Sequence, residues 1–263
     1  MIAATKPVRP IVRVGSVLVA ILLWQLASMN RVDTWLINFG NLPAPTDVAR
    51  AAASFLQSPK VVHHVRNSIF RVFTGFGVAT VVGITLGVAI GRSKRIEDVI
   101  LPSIETLRPI PAVAWIPLAI LMFPTTEGSI LFITFIGALF PIVLNTIHGI
   151  EALDSRLILA SRSLGARRWS VLREVVLPGA LPSIVTGLRL GMGAAWLCLV
   201  TAEMIAGQYG IGYYTWESYN LQRYPDIVVG MVFIGVFGML SSALINRLGQ
   251  WLMPWYRPAK AET

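Results

Sequence analysis

The chain has 263 residues, 55% of them hydrophobic and only 13% charged, whereas a soluble domain carries about a quarter charged residues; composition therefore excludes a water-soluble globule. The formal charge of +9 does not point to nucleic acid, because the basic residues stand at the ends of apolar runs and form no basic face interleaved with aromatics. The single cysteine, Cys198, lies inside an apolar run, so no intrachain disulfide can form and cysteine usage carries no signal of the redox compartment.

Several apolar runs reach the ~20 residues that cross a bilayer. Taken in order they predict an all-α polytopic membrane protein with six spans. Lys6, Arg9 and Arg13 precede the first, about 14–29. It reads as an anchored helix; the alternative is a cleaved signal peptide, for which Ala27-Ser28-Met29 is a poor cleavage site. A turn-rich segment over 30–45 leads to a short amphipathic helix, with Thr46-Asp47 as its expected cap and Val48, Ala51, Ala52 and Phe55 on one face. The second span, about 68–90, carries Gly75, Ala79, Gly83, Gly87 and Gly91 at every fourth position. That is a smooth seam for close approach of another helix backbone. Arg92-Ser93-Lys94-Arg95 ends it.

The third span, about 102–123, contains Pro102, Pro109, Pro111 and Pro117. Each proline removes a backbone donor and clashes with the preceding turn, so this helix must be kinked or broken. In a bilayer such backbone is tolerated only where it is buried in protein or lines a wet cavity. Arg108, Pro109, Pro111, Trp115 and Pro117 are therefore expected to line a pathway. The fourth span is about 130–150, with Pro141 inside it, and the fifth about 182–206, with Gly187, Gly191 and Ala195 four apart. A polar, aromatic-rich connection over 207–225 precedes the sixth, about 227–251, which holds Gly230, Gly235 and Gly238. Trp251, Trp255 and Tyr256 then stand where an interfacial aromatic belt belongs.

Between the fourth and fifth spans lies a long polar interruption, 155–182. Leu157, Ala160, Ser161 and Leu164 recur at helical spacing, and Gly165 follows where a helix C-terminus favours a left-handed residue. Trp169, Leu172, Val175 and Val176 suggest a second short helix, which Leu177-Pro178 is expected to stop before Pro182 opens the fifth span. The interruption is thus a helix, a glycine-hinged corner and a helix. Arg156, Arg162, Arg167, Arg168 and Arg173 on this loop, the Arg92–Arg95 cluster and the basic residues at both chain ends, Arg247, Arg257 and Lys260 among them, outnumber Arg31, Arg50, Lys60, Arg66 and Arg223 on the opposite side. The positive-inside rule then places both termini and the loop in the cytoplasm.

Charged residues within spans are costly and carry roles. Counting depth at 1.5 Å per residue, Arg71 and Glu203 lie at similar depth near the outer surface, and are expected to pair. Glu105, Arg108 and Arg189 share a depth nearer the inner surface, and are expected to form a second network; snorkelling of each arginine to its interface is the alternative. The chain has no Gly-x-x-x-x-Gly-Lys-Ser/Thr phosphate loop, so it is not expected to hydrolyse ATP. His63-His64 and His148 show no metal-ligand spacing.

The helix with Leu164-Gly165, followed by Val176-Leu177-Pro178 thirteen residues past the glycine, resembles the "EAA" loop of importer-type ABC permeases. Leu177-Pro-Gly-Ala-Leu-Pro-Ser-Ile-Val-Thr-Gly-Leu-Arg189, Leu107-Arg-Pro-Ile-Pro111 and Ala114-Trp-Ile-Pro-Leu118 are similar to the nitrate/sulfonate/taurine branch of that family. The resemblance spans about 42 to the C-terminus. It departs at Leu159, where the motif usually has Glu, and at Phe123-Pro-Thr-Thr-Glu127, which replaces a glycine-containing turn. It implies a type I importer permease fold, with 1–263 as one transmembrane domain and 152–178 as a cytoplasmic coupling loop. Ala160, Ser161, Leu164, Gly165, Ala166, Arg167, Leu177 and Pro178 would dock an ATPase subunit; Arg71, Arg108, Arg189 and Glu203 join the prolines and Trp115 as pathway or gating candidates. The implied assembly is a bacterial-type inner-membrane homodimer, or a pair with a paralogous permease, with two ATPase subunits and a soluble binding protein. ATP and Mg would belong to the ATPase. The implied cargo is a small oxyanion of the taurine, alkanesulfonate, nitrate or bicarbonate type. A self-contained secondary transporter or channel is the alternative; it predicts an inverted repeat and mid-membrane acids, which the chain lacks.

Overall fold

The computed structural model describes residues 8–33 and 39–255. Lys6, Tyr256, Arg257 and Lys260, and the side chain of Arg9, lie outside the described residues. Among the described residues eleven α-helices follow in order: α1 Val8–Met29, α2 Pro45–Gln57, α3 Lys60–Arg92, α4 Lys94–Leu107, α5 Ile116–Met122, α6 Thr126–Glu151, α7 Ser155–Ser163, α8 Arg168–Val171, α9 Leu177–Ala206, α10 Ile211–Asn220 and α11 Tyr224–Leu252. Among the described residues five helices are long and apolar enough to cross a membrane. A sixth span arises only if α4 and the 112–122 segment count as one, bent by 88°.

The described residues form two compact units, one of those up to His63 with Tyr214–Phe233, the other of His64–Tyr213 with those from Ile234 to Trp255. In the first, α1 exposes its apolar side chains, as a lipid-facing helix does. Its Gln25 amide reaches Thr46: Nε2 donates to Oγ1 and Oε1 accepts from the backbone N–H, both at 3.2 Å. Val48, Ala51 and Ala52 are half-buried and Phe55 is buried. The Phe55 ring lies 4.3 Å from Tyr214 and meets Phe233 edge-on at 5.3 Å. The face of α2 is as expected, but its start is not. Pro45 occupies the first turn and Ala44 is the cap residue, with no side-chain bond. A proline in the first turn needs no partner for its nitrogen, so no Thr46 cap is required. The 207–225 connection also contains α10, which no apolar periodicity announces.

In the second unit α6 is the central helix, packed by α3 and α9. On α3, a Cβ at Gly75, Gly83 or Gly87 would meet Thr134, Ile142 and Thr146 respectively at 2.5–2.9 Å. On α9, one at Gly187 would come within 2.8 Å of the Asn145 Cβ, and one at Gly191 within 3.0 Å of Ile142. The four-residue spacing thus buries the flank of α6 from two directions. α6 contributes its own Gly137, against Cys198, and Gly149, against Ser183, a contribution that the sequence pattern did not reveal. Gly235 and Gly238 meet nothing within 4 Å. Gly77 on α3 is equally open, and this gives a paired test. Gly77→Ala should gain about 0.5–1 kcal/mol of stability from helix propensity. Gly87→Ala, whose Cβ would also lie 3.0 Å from the Val143 carbonyl, should lose about 1–3 kcal/mol. Thermal melting of the two variants in detergent checks the contrast, and equal melting points would count against the seam.

The proline-rich segment is broken, as expected, but not where a span over 102–123 would put it. Helix α4 starts at Lys94, inside the basic cluster, and carries Pro102 without ending. The break falls at 108–111, between Leu107 and a 3-10 turn at Ala112–Trp115. Pro109 and Pro111 cannot donate, and Arg108 precedes a proline, a position that disfavours continued helix.

Candidate functional site

Among the described residues, a buried polar cluster centres on Arg71 of α3, which is 2% exposed, and Glu203 of α9, which is fully buried. Arg71 Nη1 donates to Glu203 Oε1 at 2.9 Å and to the Tyr209 carbonyl at 2.5 Å. Its Nε donates to Glu127 Oε2 at 2.8 Å, and Nη2 donates to Glu127 Oε1, completing a bidentate fork. Glu203 also accepts from Ser68 Oγ, 2.8 Å from both carboxylate oxygens, and from Gly212 N at 3.0 Å. Ser68 Oγ in turn accepts from Ile211 N at 2.8 Å. His64 Nδ1 sits 2.9 Å from the Gly210 carbonyl oxygen. Gly210 has φ +137°, and a Cβ there would run into the Glu203 carboxylate. The 207–212 turn is therefore folded directly onto Glu203.

The structure brings together the expected Arg71–Glu203 pair and adds Glu127, Ser68 and His64, which depth counting missed. Glu127 is legible only as an acid in the first turn of α6. The expected Glu105–Arg108–Arg189 network does not form. All three residues are exposed, and among the described residues no ion pair joins them. The reason is the break: Arg108 lies past the end of α4 and lines a cavity of about 430 Å³ with Pro111, Asn145 and His148. Arg189 opens into a different cavity, of about 520 Å³, with Thr186, Asn246 and Gln250. Pro109 and Pro117 are exposed; Trp115 is half-buried, packs on the core cluster and leaves its indole Nε1 buried without a partner.

The polar corner is built from both ends. Asp154 Oδ1 accepts from Arg156 N at 2.9 Å, capping α7. At the other end Gly165 takes φ +84°. Its N–H donates to Arg162 O at 2.9 Å while Ala166 N–H donates to Ser161 O at 3.1 Å. This bond pair is a Schellman closure, which needs a left-handed residue at its centre. Ile158, Ala166, Leu172 and Val175 turn inward onto Ile150, Val171, Val176 and Ala180. Ala160 and Arg167 are exposed, Ser161, Leu177 and Pro178 half-buried. Leu157, Leu159, Leu164 and Trp169 face outward, Leu164 at 89% and Trp169 at 70% exposure.

Leu177-Pro178 does not stop the second helix, contrary to expectation. Arg168–Ala206 is helical over 39 residues. A π turn at Leu172–Val176 widens it, and Leu177 N–H bonds to Leu172 O, five residues back. The wider turn sets a new register just where Pro178 lacks a donor. Pro182 lies inside α9 rather than at its start. Such π turns concentrate at functional sites.

An all-helical polytopic chain with broken and glycine-seamed spans has the architecture of a transport permease. Residues 79–258 match the family described as "binding-protein-dependent transport system inner membrane component", and the chain belongs to that family. It is 33% identical over 262 residues to the nitrate import permease protein NrtB of Synechocystis sp., covering 96% of this chain and 92% of that one. It is 34% identical to the bicarbonate transport system permease protein CmpB of Synechococcus elongatus, over 71% of this chain and 67% of that one. It is 33% identical to the putative aliphatic sulfonates transport permease protein SsuC of Bacillus subtilis, over 81% and 78%. The fold is similar to a chain in inward facing conformations of the MetNI methionine ABC transporter, with TM-score 0.64 and 18% identity over 73% of this chain and 95% of that one. The chain is thus a non-catalytic inner-membrane permease component of an ABC importer, and the self-contained transporter is set aside.

Proposed function

We propose that the chain forms a homodimeric permease for a small oxyanion, served by a soluble binding protein and driven by two ATPase subunits that dock on the 152–178 corner. ATP and Mg belong to those subunits. Support for the cargo class comes from relatives named for nitrate, bicarbonate and sulfonates. Support for docking comes from one observation: Leu157, Leu159, Leu164 and Trp169 are exposed together on a corner whose backbone is locked by caps. Exposed apolar residues on a rigid polar loop suit a protein partner. The excess of Lys and Arg on one side supports a cytoplasmic corner and cytoplasmic termini, with the Arg71–Glu203 cluster near the outer surface.

Closure of the ATPase pair would draw two such corners together. The unbroken helix from Arg168 to Ala206, roughly 58 Å at 1.5 Å per residue, would carry that motion to Glu203. The break at Arg108, Pro109 and Pro111, with Trp115 and Pro117 behind it, would line the pathway. Leu164→Asp should reduce copurification of the ATPase by about tenfold or more, since it puts a charge where an apolar anchor docks. Undiminished copurification would move docking elsewhere. ATP-dependent uptake of nitrate, bicarbonate or ethanesulfonate by the reconstituted importer tests the cargo, and uptake of none of them would end the oxyanion reading.

A further inference from the structure

We propose that the cavity between the α4–α5 break and α6 is an oxyanion subsite within the permease, with Arg108, Asn145 and His148 as its donors. This rests on the oxyanion reading of the cargo. Arg71 and Arg108 are both arginines of the membrane region, and they differ sharply. Arg71 is satisfied by two carboxylates and a carbonyl. The Arg108 side chain has no ion pair or hydrogen bond among the described residues, and no acidic residue lines its cavity. An unpaired cation against apolar walls is expensive in a membrane, and a small anion is the natural complement. The walls are largely apolar here, with Ile136, Phe140, Leu144 and Leu190 among the lining residues.

Asn145 is held by its own helix, Nδ2 donating to Pro141 O at 2.8 Å. An amide nitrogen carries two N–H groups, so one is left for a ligand. The exposed imidazole of His148 supplies another N–H. A guanidinium fork matches a planar or tetrahedral oxyanion with two parallel bonds. The volume, about 430 Å³, holds such an ion together with water. Along α6 the lining runs from Ile136 to His148, roughly 18 Å at 1.5 Å per residue. It is therefore an elongated compartment. One fixed cation and two further hydrogen-bond donors bind without trapping, as conduction requires.

The test uses the assembled, detergent-solubilised importer with cysteine placed at His148→Cys, the wild-type chain with its buried Cys198 giving the background. Reaction rates with an anionic sulfonatoethyl and a cationic trimethylammonioethyl methanethiosulfonate are each normalised to a free thiol. The anionic reagent should be favoured on the order of tenfold, since a unit positive charge acts with opposite sign on the two reagents. Arg108→Gln should abolish the preference and Arg108→Lys should keep it. Nitrate, bicarbonate or ethanesulfonate should slow the labelling. Should His148→Cys fail to assemble, Leu144→Cys on the same wall carries the measurement. Equal rates, or a preference indifferent to Arg108→Gln, overturn the subsite. Uptake of an oxyanion without any protection of the cysteine leaves the cargo reading standing and overturns the subsite alone. Protection by these anions without their uptake supports the subsite while the cargo reading fails.

Discussion

Arg71→Ala is expected to destabilise the protein by about 3–5 kcal/mol, the cost of breaking a buried ion pair by removing one partner. The carboxylate left behind, Glu203, is fully buried. Ser68 Oγ and Gly212 N–H would remain as its donors, but neither carries a charge. Loss of the guanidinium also removes its hydrogen bond to the Tyr209 carbonyl, so the 207–212 turn would loosen with it. Glu127 is a different matter: its side chain is 56% exposed, and Glu127→Gln should cost far less. Arg71→Lys should fall near alanine rather than wild type, because an ammonium cannot bridge two carboxylates and a carbonyl in one fork. Thermal melts of the purified variants give the order directly. A double-mutant cycle with Glu203→Ala isolates the coupling between the two sites. If Arg71→Ala melts with the wild type, the cluster does not hold this end of α3 and α9 together. A charge swap, Arg71→Glu with Glu203→Arg, should recover only part of the loss, since Glu127 would then face a carboxylate.

This cluster shows where sequence reasoning reached and where it stopped. Depth along a helix is legible, because each residue advances about 1.5 Å; depth alone paired Arg71 with Glu203. Azimuth is not legible from depth. Arg108 and Arg189 match in depth as well, yet they open into separate cavities, because the break at 108–111 turns the chain by 88° between its two helical arms. Prolines marked that the third span fails, but not that Pro102 would be absorbed into α4 or that a π turn would carry the chain past Pro178. At Pro178 a wider turn met the missing donor, and no composition signal distinguishes that from a stop. The glycine seam was legible as a period; its partner was not. Thr134, Ile142 and Thr146 on α6 are ordinary residues until a neighbouring backbone lies against them. Tertiary contacts chose α6 as the centre, and Gly137 and Gly149, set twelve apart, form no short repeat.

Gly165→Pro is expected to abolish ATPase copurification while the membrane helices still melt as in the wild type. Proline fixes φ near −65°, whereas Gly165 sits at +84°. It also lacks the N–H that Gly165 donates to Arg162 O. The Schellman closure would open, and the direction in which Leu164 and Trp169 leave the corner would change. A Cβ at this position meets nothing within 4 Å, so in the free chain side-chain size is irrelevant and conformation decides. That yields a graded series read by copurification. Gly165→Asn, which tolerates the left-handed region, should dock close to wild type. Gly165→Ala should weaken docking moderately, by about the 1–2 kcal/mol cost of a left-handed conformation. Gly165→Pro should dock least. A different order separates two other mechanisms. Loss with asparagine as complete as with proline means that the partner packs directly on the glycine. Equal docking by all three means that the corner is not the contact.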